Sequence, residues 1–326
     1  MAVRQSDVER FYQNVNRQRK KVVQAPIVLF TFNRPDHTRE TLESLTLNPE
    51  FVASPLIIYC DSARNEAEVS QVEATRQLVR DWPHPNKTLI ERDRNWGLAN
   101  SIIDGVTQQC DAHGKVIVIE DDMVVSEHFL NYMNTALLKY QDDDRVISIH
   151  GYSYPIDDLP EVFFIKGTNC WGWATWKRGW DLFEADGKKL YAELLKINLM
   201  HRFNINGAYP YRRMLLDQIN GRNDSWAIRW YASALIKDKL TLHPGCSLVS
   251  NIGLDGSGSN CDPADVPAQI FSSSVVNLSN IEVQEDKNAL RSWYKYLKAA
   301  RFKKLIKVLS SFKFLLKVLK RRVRFL

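Results

Sequence analysis

The loop after the first strand-like run, TFNRPDHT at residues 31–38, contains no glycine. A dinucleotide-binding turn needs GxGxxG there so that the backbone can approach a pyrophosphate, and its lack excludes a nicotinamide site of that kind. The five cysteines, Cys60, Cys110, Cys170, Cys246 and Cys261, form no CxxC pair, which removes the usual structural zinc site. Scattered and odd in number, they fit a reducing cytoplasm. No run of about eighteen uncharged apolar residues occurs, so no membrane-spanning helix is expected. The opening MAVRQSDVERFYQNVNRQRKK has no apolar centre, and no secretory leader is expected in it. Acids are missing from one whole segment: residues 299–326 hold ten Lys or Arg and no Asp or Glu. Those ten charges taken from the net +6 leave −4, so the basic character belongs to that segment alone. Nucleic-acid binding by the body of the chain is not expected.

What is present is an alternation. Apolar runs at 26–32, 56–60, 87–91 and 115–119 are separated by helix-spaced segments at 37–45, about 66–80 and 98–109. Strands that are apolar throughout imply a mostly parallel sheet with helices on both faces, an α/β fold. Ligands of such sheets sit beyond the carboxyl ends of the strands. Each run here ends in polar residues: Asn33 and Arg34, then Asp61, then Arg92 to Asn95, then Glu120, Asp121 and Asp122. One sheet edge should therefore gather an arginine and several carboxylates. A helix at 127–140 and strands at 146–150 and 162–165 follow, and 167–260 is less regular and rich in Trp, Tyr and Gly. The chain divides into an arm at 1–24, an alternating α/β half at 25–150, a second half of the same domain at 151–285 and a basic tail at 286–326.

Three acids at the abrupt end of an apolar strand suit a hard divalent cation, Mn²⁺ or Mg²⁺, which takes oxygen ligands and keeps several waters. In this setting KVIVIEDDMVVSEHFLNYMNTAL resembles the metal-binding segment of GT-A glycosyltransferases. It is closest to the inverting N-acetylglucosaminyltransferase I group and its bacterial family 2-like relatives. PIVLFTFNRPDHTRETLESL, YCDSARNE, NWGLANSI and CWGWATWKRGW are similar to further segments of the family in the same order, together covering about residues 25–260. The resemblance implies a Rossmann-like GT-A domain. It implies that Thr31, Asn33 and Arg34 lie at the nucleotide, that Asp61 meets the base, and that Asn95, Gly97, Leu98 and Asn100 pack near ribose and base. Glu120 and Asp121 would then lie near donor sugar and ribose, with Asp122 as the principal metal ligand. Trp171, Gly172 and Trp173 would lie beside the donor sugar. As residues alone, the tryptophans read equally as a sugar wall or as core.

Inverting transfer needs a carboxylate that takes the acceptor's proton. Asp224, before a helix that begins near Trp226, is the candidate, with Asp217 in reserve; an Asp or Ser at that place also reads as a helix cap. Ser250 to Asn260 carries Gly253, Gly256 and Gly258, too permissive a loop to be packed tightly; the resemblance implies that it closes over the nucleotide, and the residues alone read equally as surface. In the tail, Phe302, Leu305, Ile306, Leu309, Phe312, Leu316, Leu319 and Val323 recur every three or four residues among the cations. That is a cationic amphipathic helix, suited to an anionic membrane surface or to docking on a partner. The combined expectation is a metal-dependent inverting transferase at the inner face of the cytoplasmic membrane. It would move a sugar from a nucleotide-sugar donor, a UDP-sugar, to a glycan or lipid-linked acceptor in surface polysaccharide synthesis. The other readings are a sugar nucleotidyltransferase, which should carry a glycine-rich first loop, and a non-catalytic membrane adaptor, which would leave the strand-end acids without a purpose.

Overall fold

The computed structural model describes residues 24–255, 271, 274–279 and 281–323, with side chains in the last helix as far as Lys303 and at Leu305 and Ile306. The arm before Gln24, Gly256, Gly258 and Cys261 lie outside the described residues, as do the side chains of Leu309, Phe312, Leu316, Leu319 and Val323.

β1 (Ile27–Thr31), β2 (Leu56–Cys60), β3 (Lys87–Glu91) and β4 (Lys115–Glu120) pair in parallel in the order β3-β2-β1-β4. β1 and β2 are buried along their whole length, whereas β3, at the sheet edge, is half exposed. Alternate side chains of β1 serve opposite faces, as the pleat dictates. Ile27 and Leu29 pack with Leu42 and Leu45 of α1 (Pro35–Thr46) and with Phe129, Leu130 and Met133 of α4 (Phe129–Lys139). Val28 and Phe30 pack with Ala99, Ile102 and Val106 of α3 (Leu98–His113). α2 (Val69–Asp81) adds Val79 to the first face. Proline opens α1 with Asp36 in its first turn, which suits the exposed amides and positive end of a helix start.

β5 (Met123–Val125), β6 (Val146–His150), β7 (Val162–Lys166), β8 (Trp173–Trp176), β9 (Leu240–Pro244) and β10 (Val249–Asn251) complete the strands. The main sheet continues β4-β8-β6-β9-β7. The parallel expectation holds for the first four strands and for β6 with β9; β8 runs antiparallel to both β4 and β6, and β7 antiparallel to β9. The less regular region after 167 thus supplies β8 and β9, which enter the sheet on either side of β6. β10 pairs with β5 in a separate ribbon beyond the end of β4. Between β8 and β9 lie α5 (Lys177–Trp180), α6 (Gly187–Lys196), α7 (Met200–Phe203), α8 (Tyr211–Ile219) and α9 (Trp226–Ile236). α10 (Lys287–Val323) roots Ala289 and Trp293 against Phe163 and Ile165 of β7.

Candidate active site

The strand order reverses between β1 and β4, because the chain runs outward from β1 to β3 and then returns to β1's other side. That is where an open parallel sheet parts to form a crevice. Phe30 is level with Glu120, so the loops after β1 and β4 leave the sheet side by side. The Phe32 amide donates to Asp121 Oδ2 at 3.1 Å, and Thr41 of α1 donates to the Asp121 carbonyl at 2.9 Å. Arg34 Nη2 spans two acids: it contacts Asp121 Oδ1 closely and lies 3.1 Å from Asp122 Oδ2. Its Nη1 and Asp122 Oδ1 are buried without a hydrogen-bond partner.

The β5–β10 ribbon closes over this cluster. Ile252 N donates to the Asp122 carbonyl at 2.9 Å, and His37 Nε2 lies 3.3 Å from Asp255 Oδ2. A Cβ at Gly253 would stand 2.3 Å from Asp122 Oδ2 and 2.7 Å from Arg34 Nη1, so any larger residue there would push these two side chains from their present positions. Burial first, and then the like charges of Asp122 and Asp121, hold the Glu120 carboxyl well above the usual carboxylate range. Burial also raises Asp121, to about 6, against the pull of Arg34 and the Phe32 amide.

On the β2 side, Asp61 is fully engaged. It accepts from Trp96 N at 2.8 Å, Gly97 N at 2.9 Å and Asn95 Nδ2 at 3.2 Å, which fixes the turn into α3. Gly97 adopts φ +75°, a conformation that favours glycine. Asn100 donates back to the Trp96 carbonyl at 2.9 Å, and Leu98 is exposed. Thr31 is buried, with its hydroxyl directed at Cys60 Sγ, 3.0 Å away; Asn33 is half-buried. Sequence reasoning noticed Arg92 only as a strand-end residue. It is buried, paired with Asp104, and its guanidinium stacks 4.0 Å from the Trp96 ring. His37 and Thr41 gave no sign in the sequence of the partners they meet here, Asp255 and the Asp121 carbonyl, whereas Gly253 belongs to the 250–260 loop that the sequence already singled out.

Asp224 lies against the start of α3, its Oδ2 3.6 Å from where a Gly97 Cβ would be. Its carboxylate is 61% exposed, with Arg229 Nη2 at 3.8 Å. Ser225, not Asp224, caps α9 by accepting from Ile228 N at 3.2 Å. Asp217 is held by Arg222 at 3.0 Å and Arg213 at 3.8 Å.

The tryptophan motif divides. Trp173 is buried and stacks on Trp226 with ring centroids 5.3 Å apart, beside Trp180 and Trp230 in the core. Trp171 is half-buried and meets the Tyr152 ring at 4.6 Å. Gly172, at φ +58°, receives the Gly151 amide on its carbonyl at 2.7 Å.

His150 positions this loop. Its Nδ1 donates to the Tyr152 carbonyl at 2.9 Å, and its Nε2 accepts from Trp171 N at 3.2 Å, so the ring is neutral. Burial holds His150 down to about 3. It also holds His243, 5.1 Å away, well below its ordinary value, with the His150 charge as the second cause. The unfolded chain takes up protons below about pH 6.5 and the folded rings do not. Their contribution is therefore intact above that pH and is lost as pH falls, by up to about 1.4 kcal/mol per pH unit for each ring. The melting temperature is expected to fall from pH 6.5 to 5, and His243→Gln should fall less steeply over the same range. Parallel melting curves for the two proteins would remove the histidines as the cause.

Among the described residues there is no group of three or more His, Cys, Asp or Glu placed to hold a metal. Within the cluster of Arg34, Glu120, Asp121 and Asp122, the buried carboxylate oxygen without a partner is Asp122 Oδ1. That fits a hard ion which draws its remaining ligands from diphosphate and water.

No protein-family model and no curated protein matches this chain. Among solved structures it is similar to the mannosyltransferase PcManGT from Pyrobaculum calidifontis, described in complex with GDP-Man and Mn2+, at 16% identity and a TM-score of 0.29, over 44% of this chain and 43% of that one. It is also similar to the bifunctional glycosyltransferase WbbM in its apo form, at 14% identity and a TM-score of 0.24, over 40% of this chain and 23% of the other. A nucleotide-diphospho-sugar transferase, so described, from Desulfovibrio desulfuricans G20 is similar at 11% identity and a TM-score of 0.30, over 64% of this chain and 98% of that one. The chain thus spans less than half the length of the first two. These likenesses are partial, and the functional reading rests on the side chains.

Proposed function

We propose that the chain is a metal-dependent inverting glycosyltransferase that takes a hexosyl or N-acetylhexosaminyl group from a nucleotide-sugar, a UDP-sugar by the motif resemblance. The observation that carries this reading is the gathering of Arg34, Glu120, Asp121 and Asp122 at the point where the strand order reverses, with Asp122 Oδ1 unpartnered. Asp122 would hold Mn²⁺ or Mg²⁺, and the ion, when bound, neutralises the departing diphosphate. Arg34 directs a free Nη1 at the same region. Asp61 holds the 95–97 turn that would face ribose and base. Asp224 would take the acceptor hydroxyl proton as that oxygen bonds to the anomeric carbon and the bond to the diphosphate breaks. Calorimetric titration with UDP, UDP-sugars and GDP-mannose, with and without Mn²⁺, tests the reading. Affinity that rises with Mn²⁺ is expected, whereas no binding of any nucleotide under either condition would sink it.

The acceptor is proposed to be lipid-linked. α10 is anchored by Trp293 and Leu297, after which Phe302, Leu305 and Ile306 are 63%, 53% and 48% exposed. Arg301 and Lys303 flank them in the acid-free segment, a surface complementary to anionic lipid. No helix among the described residues is long and apolar enough to cross a membrane. The protein is expected to co-sediment with phosphatidylglycerol vesicles at low salt and to be released at high salt. The double variant Phe302→Glu, Leu305→Glu should stay in the supernatant. Equal sedimentation of variant and wild type would remove this face as the contact.

A further inference from the structure

Arg34 occupies the place where an incoming cation would be drawn. Its Nη2 neutralises Asp121 and Asp122 together, while its Nη1 is buried with no partner. The contact is enclosed: the side chain of Asp122 is 10% exposed and that of Arg34 19%, with Gly253 packed against both. A divalent ion arriving alone must bind beside a guanidinium or displace it, and either is unfavourable at short range in a partly buried site. A diphosphate changes this, because it offers anionic oxygens to the unpartnered Nη1 and so gives Arg34 another counter-charge.

Resting on the metal-dependent reading above, we infer that Arg34 is a built-in cation that blocks metal loading at Asp122 until a nucleotide diphosphate draws it away. Metal and nucleotide then bind cooperatively, and linkage requires that each raise the other's affinity by the same factor. The arrangement keeps a bare metal ion from occupying the site, and it leaves the cluster of acids with a counter-charge whenever the donor is absent. Arg34 acts here through Asp122, as a positioning residue.

The test measures Mn²⁺ binding by electron paramagnetic resonance of free Mn²⁺, without nucleotide and then with saturating UDP, for wild type, Arg34→Gln and Arg34→Lys. Arg34→Gln is expected to bind Mn²⁺ alone at least about tenfold more tightly than wild type, and to lose a similar factor in the enhancement by UDP. A gain of affinity is not what a damaged fold would give. Arg34→Lys keeps the charge and loses the fork, and should fall between the two. If wild type binds Mn²⁺ only with UDP and Arg34→Gln binds Mn²⁺ alone no better, this inference fails and the metal-dependent reading stands. A lysine variant that gains more than the glutamine variant overturns the inference too, because charge would not be the determinant. If no form binds Mn²⁺ with or without UDP, both fall.

Discussion

Under the proposed function, an Asp224→Asn variant is expected to keep its affinity for UDP in Mn²⁺ within about twofold and to lose transfer by about 10²- to 10⁴-fold, the usual contribution of a positioned general base. The substitution preserves shape and removes proton-accepting power. It should leave stability nearly unchanged, because Ser225 makes the cap of α9 and the Asp224 carboxylate is mostly exposed. The neighbouring Arg229 is 3.8 Å away and hydrogen-bonds instead to the carbonyls of Ser225 and Ala185. Steady-state transfer combined with calorimetry separates the two effects. Near-normal turnover would move the base elsewhere, and Asp217 would have to break its pairs with Arg222 and Arg213 to serve.

Asp122→Ala should have the opposite signature. The enhancement of UDP binding by Mn²⁺ is expected to fall by about 100-fold or more, while UDP affinity without metal stays close to wild type. Arg34 retains Asp121 as its partner, and Glu120 loses the stronger of the two like charges that raise it. The variant should therefore be no less stable than wild type, and a thermal melt checks this beside the titration. If the Mn²⁺ enhancement persists undiminished, Asp122 is not the ligand, and Glu120 becomes the next carboxylate to test.

The strands that build the site were readable because each is a short apolar run stopped by polar residues, a local pattern. The same locality explains the failures. β8, read as part of a less regular region, enters the sheet between β4 and β6 and reverses the direction there. Its residues contain no signal for which strand they will meet. Trp171 and Trp173 look alike in CWGW, and the two-residue period of a strand would set both on one face; β8, however, begins at Trp173, which packs with Trp226 and Trp230, while Trp171 stays in the loop ahead of it, across Gly172 at φ +58°. The choice between Asp224 and Ser225 as cap was equally undecided, since both types accept helix amides. Backbone geometry selected Ser225.

By itself the sequence determined the alternating α/β pattern, the polar residues at the carboxyl end of each early strand, and the concentration of positive charge in 299–326. These follow from hydrophobic periodicity and from charge, which are properties of neighbouring residues. Only the tertiary structure decided that Arg34 faces the distant Asp121 and Asp122, that Asp61 is consumed in holding residues 95–97, and that the ribbon at Gly253 closes over the acids. Burial drives the strands into a sheet without specifying their neighbours. The neighbours are set by the order in which the whole sheet closes, and in this chain that order brings β1 beside β4.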